Sequence, residues 1–263
     1  MNEIVGYTCA VFIGITLGLI GGGGSILTVP VLVYVLAIEP ILATAYSLFV
    51  VGFSALVGTI KNIKRGNVDM KIGVIFSIPS LFAVYFTRRI IVPSLPEKII
   101  IIENFFLSKE TVIMLFFSLI MLLAAISMII KRKEKKKEIK TTTKYIAITL
   151  EGLFVGVFTG LVGAGGGFLI IPALVLLGGL SMKKAVGTSL MIISVKSLIG
   201  FTGDLSTTLN IDWGFLSAFC FFSILGMGVG LYISKFIEGE KLKKSFGWLV
   251  LFMAIFVFIK ELV

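Results

Sequence analysis

Apolar residues dominate eight stretches of the chain, at 4–38, 41–60, 72–92, 111–130, 145–178, 185–203, 213–237 and 245–259, with short polar or charged joints between them. A helix crossing the hydrocarbon core of a bilayer needs about 20 such residues. The pattern therefore predicts an all-α polytopic membrane protein of about eight apolar segments, with no soluble domain of useful size. The first and fifth stretches are longer than the rest. Each would run roughly 50 Å if continuously helical, against a hydrocarbon core of about 30 Å. Each is also broken near its middle by glycine, at Gly21-Gly22-Gly23-Gly24-Ser25 and at Gly163-Ala164-Gly165-Gly166-Gly167. Glycine costs close to 1 kcal/mol per residue against alanine inside a helix. Both stretches are thus expected to form two shorter helices joined at a glycine tip, either a broken crossing helix or a re-entrant hairpin.

The two broken stretches are copies of one another. Residues 14–60 laid over 156–202 without a gap give 15 identities in 47 positions, where composition alone would give about four. Gly18, Gly21, Gly23, Gly24, Leu27 and Pro30 meet Gly160, Gly163, Gly165, Gly166, Leu169 and Pro172. Further on, Ala43, Ser47, Leu48, Leu56 and Gly58 meet Ala185, Ser189, Leu190, Leu198 and Gly200, and after a one-residue shift Asn67-Val68-Asp69 meets Asn210-Ile211-Asp212. The chain divides on this basis into a first transmembrane repeat (1–130), a basic cytoplasmic linker (131–144) and a second transmembrane repeat (145–263).

Charge orients these segments. The net charge is +10, and eight of the 24 basic residues lie between Lys131 and Lys144. If each broken stretch crosses once, the halves are parallel four-plus-four repeats, and Lys and Arg in alternate loops total 13 against 10. If each is a hairpin, the totals become 18 against 5, with loops 61–71, 131–144, 178–184 and 235–244 on the basic side. The positive-inside rule favours the second arrangement. Its odd parity makes the halves inverted repeats, an architecture common among secondary transporters. Arg88 and Arg89 are then left on the weakly charged side.

Composition agrees with the segment pattern and removes several chemistries. Of the 263 residues 57% are apolar and 14% charged, with mean hydropathy +1.10, far outside the soluble range. The absence of histidine removes the commonest general base and metal ligand. Cys9 and Cys220 stand alone in apolar stretches without CxxC spacing, and read as small core residues rather than as a metal or disulfide site. No Walker-type loop is present, so an enzyme or ATP-driven pump is not expected, nor is any cofactor. The basic run has no interleaved aromatics and is tethered to membrane segments, which points to anionic lipid headgroups rather than nucleic acid. The start MNEIV has no basic stretch, and no small-residue cleavage site precedes the glycine run. The first segment is expected to stay in the mature protein of the cell membrane.

The candidate site follows from the interruptions. Glycine tips at membrane depth expose backbone N–H groups and survive only where buried in protein or lining a polar cavity. The helices starting at Ser25 and Phe168 would aim their positive ends at such a cavity, so an anion is the natural ligand of Gly21, Gly22, Gly23, Gly24, Ser25, Gly163, Gly165, Gly166 and Gly167. Close helix packing is the simpler account of Gly14, Gly18, Gly156 and Gly160. Lys196 lies in the apolar run SLMIISVKSLIGF, where a lysine costs about 3 kcal/mol on insertion scales. It is about eleven residues from the basic loop edge, too deep for easy snorkelling, and its repeat partner is Ser54. Ser47, Thr188 and Ser189, with Ser197 nearby, offer hydroxyls that could ligate an oxyanion or bond their own backbone. Asp69 and Asp212 read as helix caps. Asp204, eight residues beyond Lys196, and Glu151 are candidates for proton coupling.

The paired segments GLIGGGGSILTVP and GLVGAGGGFLIIP, the Ala-x3-Ser-Leu and Ala-x2-Thr-Ser-Leu helices after them, and the Gly-Asn-Val-Asp and Asn-Ile-Asp loops together resemble the sulfite exporter TauE/SafE family of membrane permeases. The resemblance runs nearly the whole chain. It implies a duplicated four-segment unit of seven to eight spans and transport of small sulfur-containing anions such as sulfite or organosulfonates. The residues and the resemblance converge on a proton-coupled anion transporter working by alternating access; a channel with a static glycine filter is the alternative.

Overall fold

The computed structural model describes residues 3–96, 98–102, 105–130, 141–163, 165–205, 210–237 and 239–262. Most of the basic linker, residues 131–140, and Ala164 of the second tip lie outside the described residues. Ten helices are described: α1 (Glu3–Ile20), α2 (Gly24–Val35), α3 (Pro40–Lys64), α4 (Met70–Ser94), α5 (Lys109–Ile129), α6 (Thr141–Val162), α7 (Gly167–Leu176), α8 (Met182–Asp204), α9 (Trp213–Ile233) and α10 (Gly239–Leu262). Among the described residues six of them, α3, α4, α5, α6, α8 and α9, contain a segment long and apolar enough to cross a membrane. The protein is thus a multi-pass membrane protein.

A short β hairpin departs from the all-helical expectation. β1 (Lys98–Ile102) pairs antiparallel with β2 (Phe105–Ser108), with Lys98 opposite Ser108 and Ile100 opposite Phe106. Consecutive isoleucines and paired phenylalanines favour extended backbone, and Pro96 stops α4 from running on into them.

The long stretches do split at glycine, and the chain reverses there. Gly24 packs on Thr16 and Leu17, and Gly6 lies against Leu36, so α2 runs back along α1. Gly166 lies against Val155 and Thr159, and Gly179 sits near the Lys144 ammonium, so α7 returns along α6 in the same way. Positive φ makes these reversals possible: 70° and 97° at Gly21 and Gly22, and 71°, 63° and 65° at Gly163, Gly165 and Gly166. A side chain would strain the backbone at each.

Helix packing crosses between the halves. α1 lies parallel to α9, with Gly14 on Ser223 and Gly18 on Met227 and Gly230. α6 lies parallel to α4 through Gly152 on Phe76, Gly156 on Ser80 and Ala83, and Gly160 on Thr87. Small residues are needed here because lipid supplies no hydrophobic drive between helices, which leaves close backbone approach to hold them. Between these pairs α3 and α8 run antiparallel: Leu48 meets Gly200, Gly52 meets Leu198 and Gly58 meets Leu190. α5 and α10 pair with each other. Large apolar side chains such as Phe82 and Phe252 face outward, as a lipid-bathed surface requires.

The two repeat loops are held reciprocally. The Asp69 carboxylate caps α4 by accepting from the Ile72 N–H at 3.0 Å, and its own N–H donates to Thr188 Oγ1 on α8 at 2.9 Å. Asp212 caps α9 by accepting from the Phe215 N–H at 3.0 Å, and its N–H donates to Tyr46 Oη on α3 at 2.7 Å. Tyr46 and Thr188 occupy equivalent positions of the repeat. Each half therefore anchors its loop on the helix of the other.

Candidate functional site

The glycine tips meet at the centre of the protein. A Cβ on Gly167 would fall 2.4 Å from the Gly22 Cα, and one on Gly165 would fall 3.2 Å from the Ser25 Cβ. This leaves room for glycine alone at the contact. Ser25 Oγ donates back to the Gly22 carbonyl at 2.6 Å, closing the first tip's turn. Ser189 Oγ lies 3.0 Å from the Gly21 carbonyl oxygen and 2.8 Å from that of Val186, so α8 grips the first tip. Gly23 lies in the 3-10 turn that opens this arm.

Lys196 comes to the second tip. It is 1% exposed and donates to Thr159 Oγ1 at 2.9 Å. A Cβ on Gly166 would sit 3.0 Å from its Nζ. Gly166 is the N-cap of α7, so the ammonium stands beside the positive end of a helix. Among the described residues Lys196 has no carboxylate within salt-bridge distance. An ammonium has three hydrogens to donate, and two positive features with no counter-charge make an environment that an anion would complete. Ser47, the repeat partner of Ser189, is fully buried, and its Oγ has no hydrogen-bond partner among the described residues; the same holds for Ser197, next to Lys196.

Three predicted residues lie elsewhere. Thr188 is occupied in holding the Asp69 N–H. Asp204 does not pair with Lys196; its Oδ1 lies 3.5 Å from Nη1 of Arg88, a side chain with no exposed surface. Nη1 also donates to Thr44 Oγ1 at 2.9 Å. Glu151 is half-buried on α6, eight residues before Thr159.

A cavity of about 570 Å³ opens at the end of the protein where α3, α1 and α9 finish and α8 begins. Its lining includes Arg65, Lys183 and Lys235, with Asn62 and Asn67, and contains no carboxylate among the described residues. Ile20 and Val186 also line it, the latter in contact with Gly21 of the first tip. An electropositive vestibule thus leads to one glycine tip, while Lys196 marks the other. The sequence flagged loop charge on this side but offered no sign that these three cations share a cavity. It flagged Arg88 only as a charge on the wrong side; burial explains the anomaly, since a core arginine does not count as loop charge.

Gly-broken helical hairpins, meeting at a buried cation within a bundle of membrane-spanning helices, define a polytopic membrane protein of transporter class. The chain belongs to the sulfite exporter TauE/SafE family, whose profile matches residues 7–261. It is 28% identical over 254 residues to a probable membrane transporter protein of Xylella fastidiosa strain 9a5c, covering 93% of this chain and 90% of the relative. A probable membrane transporter protein of Methanocaldococcus jannaschii is 32% identical over 122 residues, 42% of this chain and 43% of that one. No solved structure matches the chain. Its family is one of transporters and not of enzymes.

Proposed function

We propose that the protein is a secondary transporter of small anions, with sulfur-containing oxyanions such as sulfite or organosulfonates as its substrates. The observation that carries this is Lys196: a buried ammonium beside the start of α7, with no counter-charge among the described residues. The family's description as sulfite exporters supports the substrate class. The bound anion would lie between the tips, accepting from the Lys196 ammonium and from tip backbone N–H groups, with Ser47 and Ser197 as further donors.

The antiparallel course of α3 and α8, which are repeat equivalents, supports reading the halves as inverted repeats. Inverted halves can exchange conformations, which is the basis of alternating access. The cavity of about 570 Å³ opens at one end of the protein, which supports that mechanism over a channel with a static filter. Proton coupling belongs to the same proposal. Since Asp204 faces Arg88, Glu151 on α6 is the carboxylate assigned to it.

The test is flux of sulfite, an alkanesulfonate and thiosulfate into proteoliposomes, with and without a pH gradient. Saturable flux that responds to the gradient supports a coupled carrier. Current that ignores the gradient supports the channel, and no flux of any anion by folded protein refutes both.

A further inference from the structure

The repeat allows the two ends of the protein to be compared residue by residue. At the open end, Asn62, Val186, Leu231 and Ile20 line the cavity. Carrying the repeat register along the chain puts Asp204 opposite Asn62, Thr44 opposite Val186 and Val162 opposite Ile20. The helix pairs extend it to α4: Gly160 lies on Thr87 as Gly18 lies on Gly230, so Arg88 corresponds to Leu231. Three cavity-lining positions thus map onto the three side chains that interact at the other end, Thr44, Arg88 and Asp204.

Their placement suits closure. Arg88 lies on the π-helical turn Thr87–Ile91 near the end of α4, Asp204 ends α8 and Thr44 is in the second turn of α3. All three are at the helix ends remote from the cavity. Thr44 also packs on Gly163 of the second tip, as Val186 packs on Gly21 of the first. Three uncharged side chains lining an open cavity at one end are therefore matched by a buried set containing an ion pair at the other.

Resting on the transport reading above, we infer that Arg88, Asp204 and Thr44 form a latch that shuts the anion pathway at the end opposite the cavity. Arg88 Nε and Nη2 have no hydrogen-bond partner among the described residues. Opening this end would hydrate them, and an oxyanion arriving there would find a guanidinium with donors to spare. The latch thus closes one face while the cavity serves the other, and it must part once in each transport cycle.

The test uses the full-length chain with Cys9 and Cys220 replaced by alanine, reconstituted in liposomes, carrying one new cysteine at Ile20→Cys or Val162→Cys. A membrane-impermeant thiol reagent is applied from each face. Ile20→Cys is expected to react from the cavity face and Val162→Cys to react slowly from the other. Asp204→Asn or Arg88→Gln should speed labelling of the Val162 site at least tenfold, whereas Arg88→Lys should leave it slow. Equal labelling with and without the charges overturns the latch. If the neutral variants do not fold, Val84→Cys with Gly200→Cys, which keeps both charges, ties α4 to α8 covalently one turn from the latch; a Cβ on Gly200 would lie 2.9 Å from the Val84 Cγ2. Oxidation should then stop sulfite exchange and reductant restore it, while exchange that persists through the disulfide overturns the latch. Faster labelling without any oxyanion flux would leave the latch standing and remove the oxyanion reading; sulfite flux with unchanged labelling would do the reverse.

Discussion

Lys196 on α8 donates a hydrogen bond to Thr159 on α6 at 2.9 Å, and this contact joins the helix after the second tip to the helix before it. On the proposed function the anion needs the charge, and not the bond alone. Lys196→Met should abolish anion flux while the protein still folds, because a buried lysine replaced by an apolar side chain of similar length removes a desolvation cost. Lys196→Arg should retain part of the flux. Thr159→Val should reduce flux less than Lys196→Met, since the ammonium keeps its place beside Gly166. Proteoliposome uptake of labelled sulfite, with size-exclusion profiles as the folding control, checks all three.

The cavity cations are expected to act on encounter rather than on turnover. Replacing Arg65, Lys183 and Lys235 singly by glutamine should raise the KM for a divalent oxyanion two- to fivefold, with kcat little changed. The effect should shrink as ionic strength rises, because screening is nearly complete beyond about 10 Å at 0.1 M salt. Initial rates at two salt concentrations measure this.

Helix contacts in the first interface leave no room for a methyl group. A Cβ on Gly14 would lie 1.9 Å from the Ser223 carbonyl oxygen, and nothing lies within 4 Å of one on Gly228 in α9. Gly14→Ala should therefore destabilise by about 1–3 kcal/mol, the range for overpacked cores, and Gly228→Ala should be tolerated. Thermal unfolding in detergent compares the two directly.

The loop anchors predict a reciprocal pair. Asp69→Ala and Asp212→Ala should each cost about 1 kcal/mol through loss of a helix cap. Tyr46→Phe and Thr188→Val should each weaken the anchor of the opposite half's loop. Combining Asp69→Ala with Thr188→Val should give less than the sum of the two, since both act on one joint. A double-mutant cycle on unfolding midpoints is the measurement.

Much of this was legible from spacing alone. The glycine runs announced both helix breaks because several successive glycines are poorly suited to an apolar helix, loop charge favoured a reversal at each over a straight crossing, and the repeat predicted that Asp69 and Asp212 would cap in the same way. Lys196 stood out because its background is apolar. Other features were hidden for physical reasons. Arg88 lies close to the end of its apolar stretch, where an arginine usually reaches the interface, so only packing reveals that it is buried. Thr188 and Ser189 are neighbours in sequence, but the helix turns them to different partners, a loop N–H and a tip carbonyl. The cavity draws its lining from four separate segments that no linear pattern connects.

The pairing of α1 with α9 has a consequence for biosynthesis. α1 leaves the ribosome well before α9, and the helix its glycine face fits is completed on the order of ten seconds or more later at ordinary elongation rates. During that interval Gly14 and Gly18 face lipid, or whatever the insertion machinery offers in its place. The hairpin of α1 and α2 can reach its final seat only after α9 has arrived. The newborn N-terminal half is therefore a client in waiting, and a helix translated late is the one that locks an early one into place.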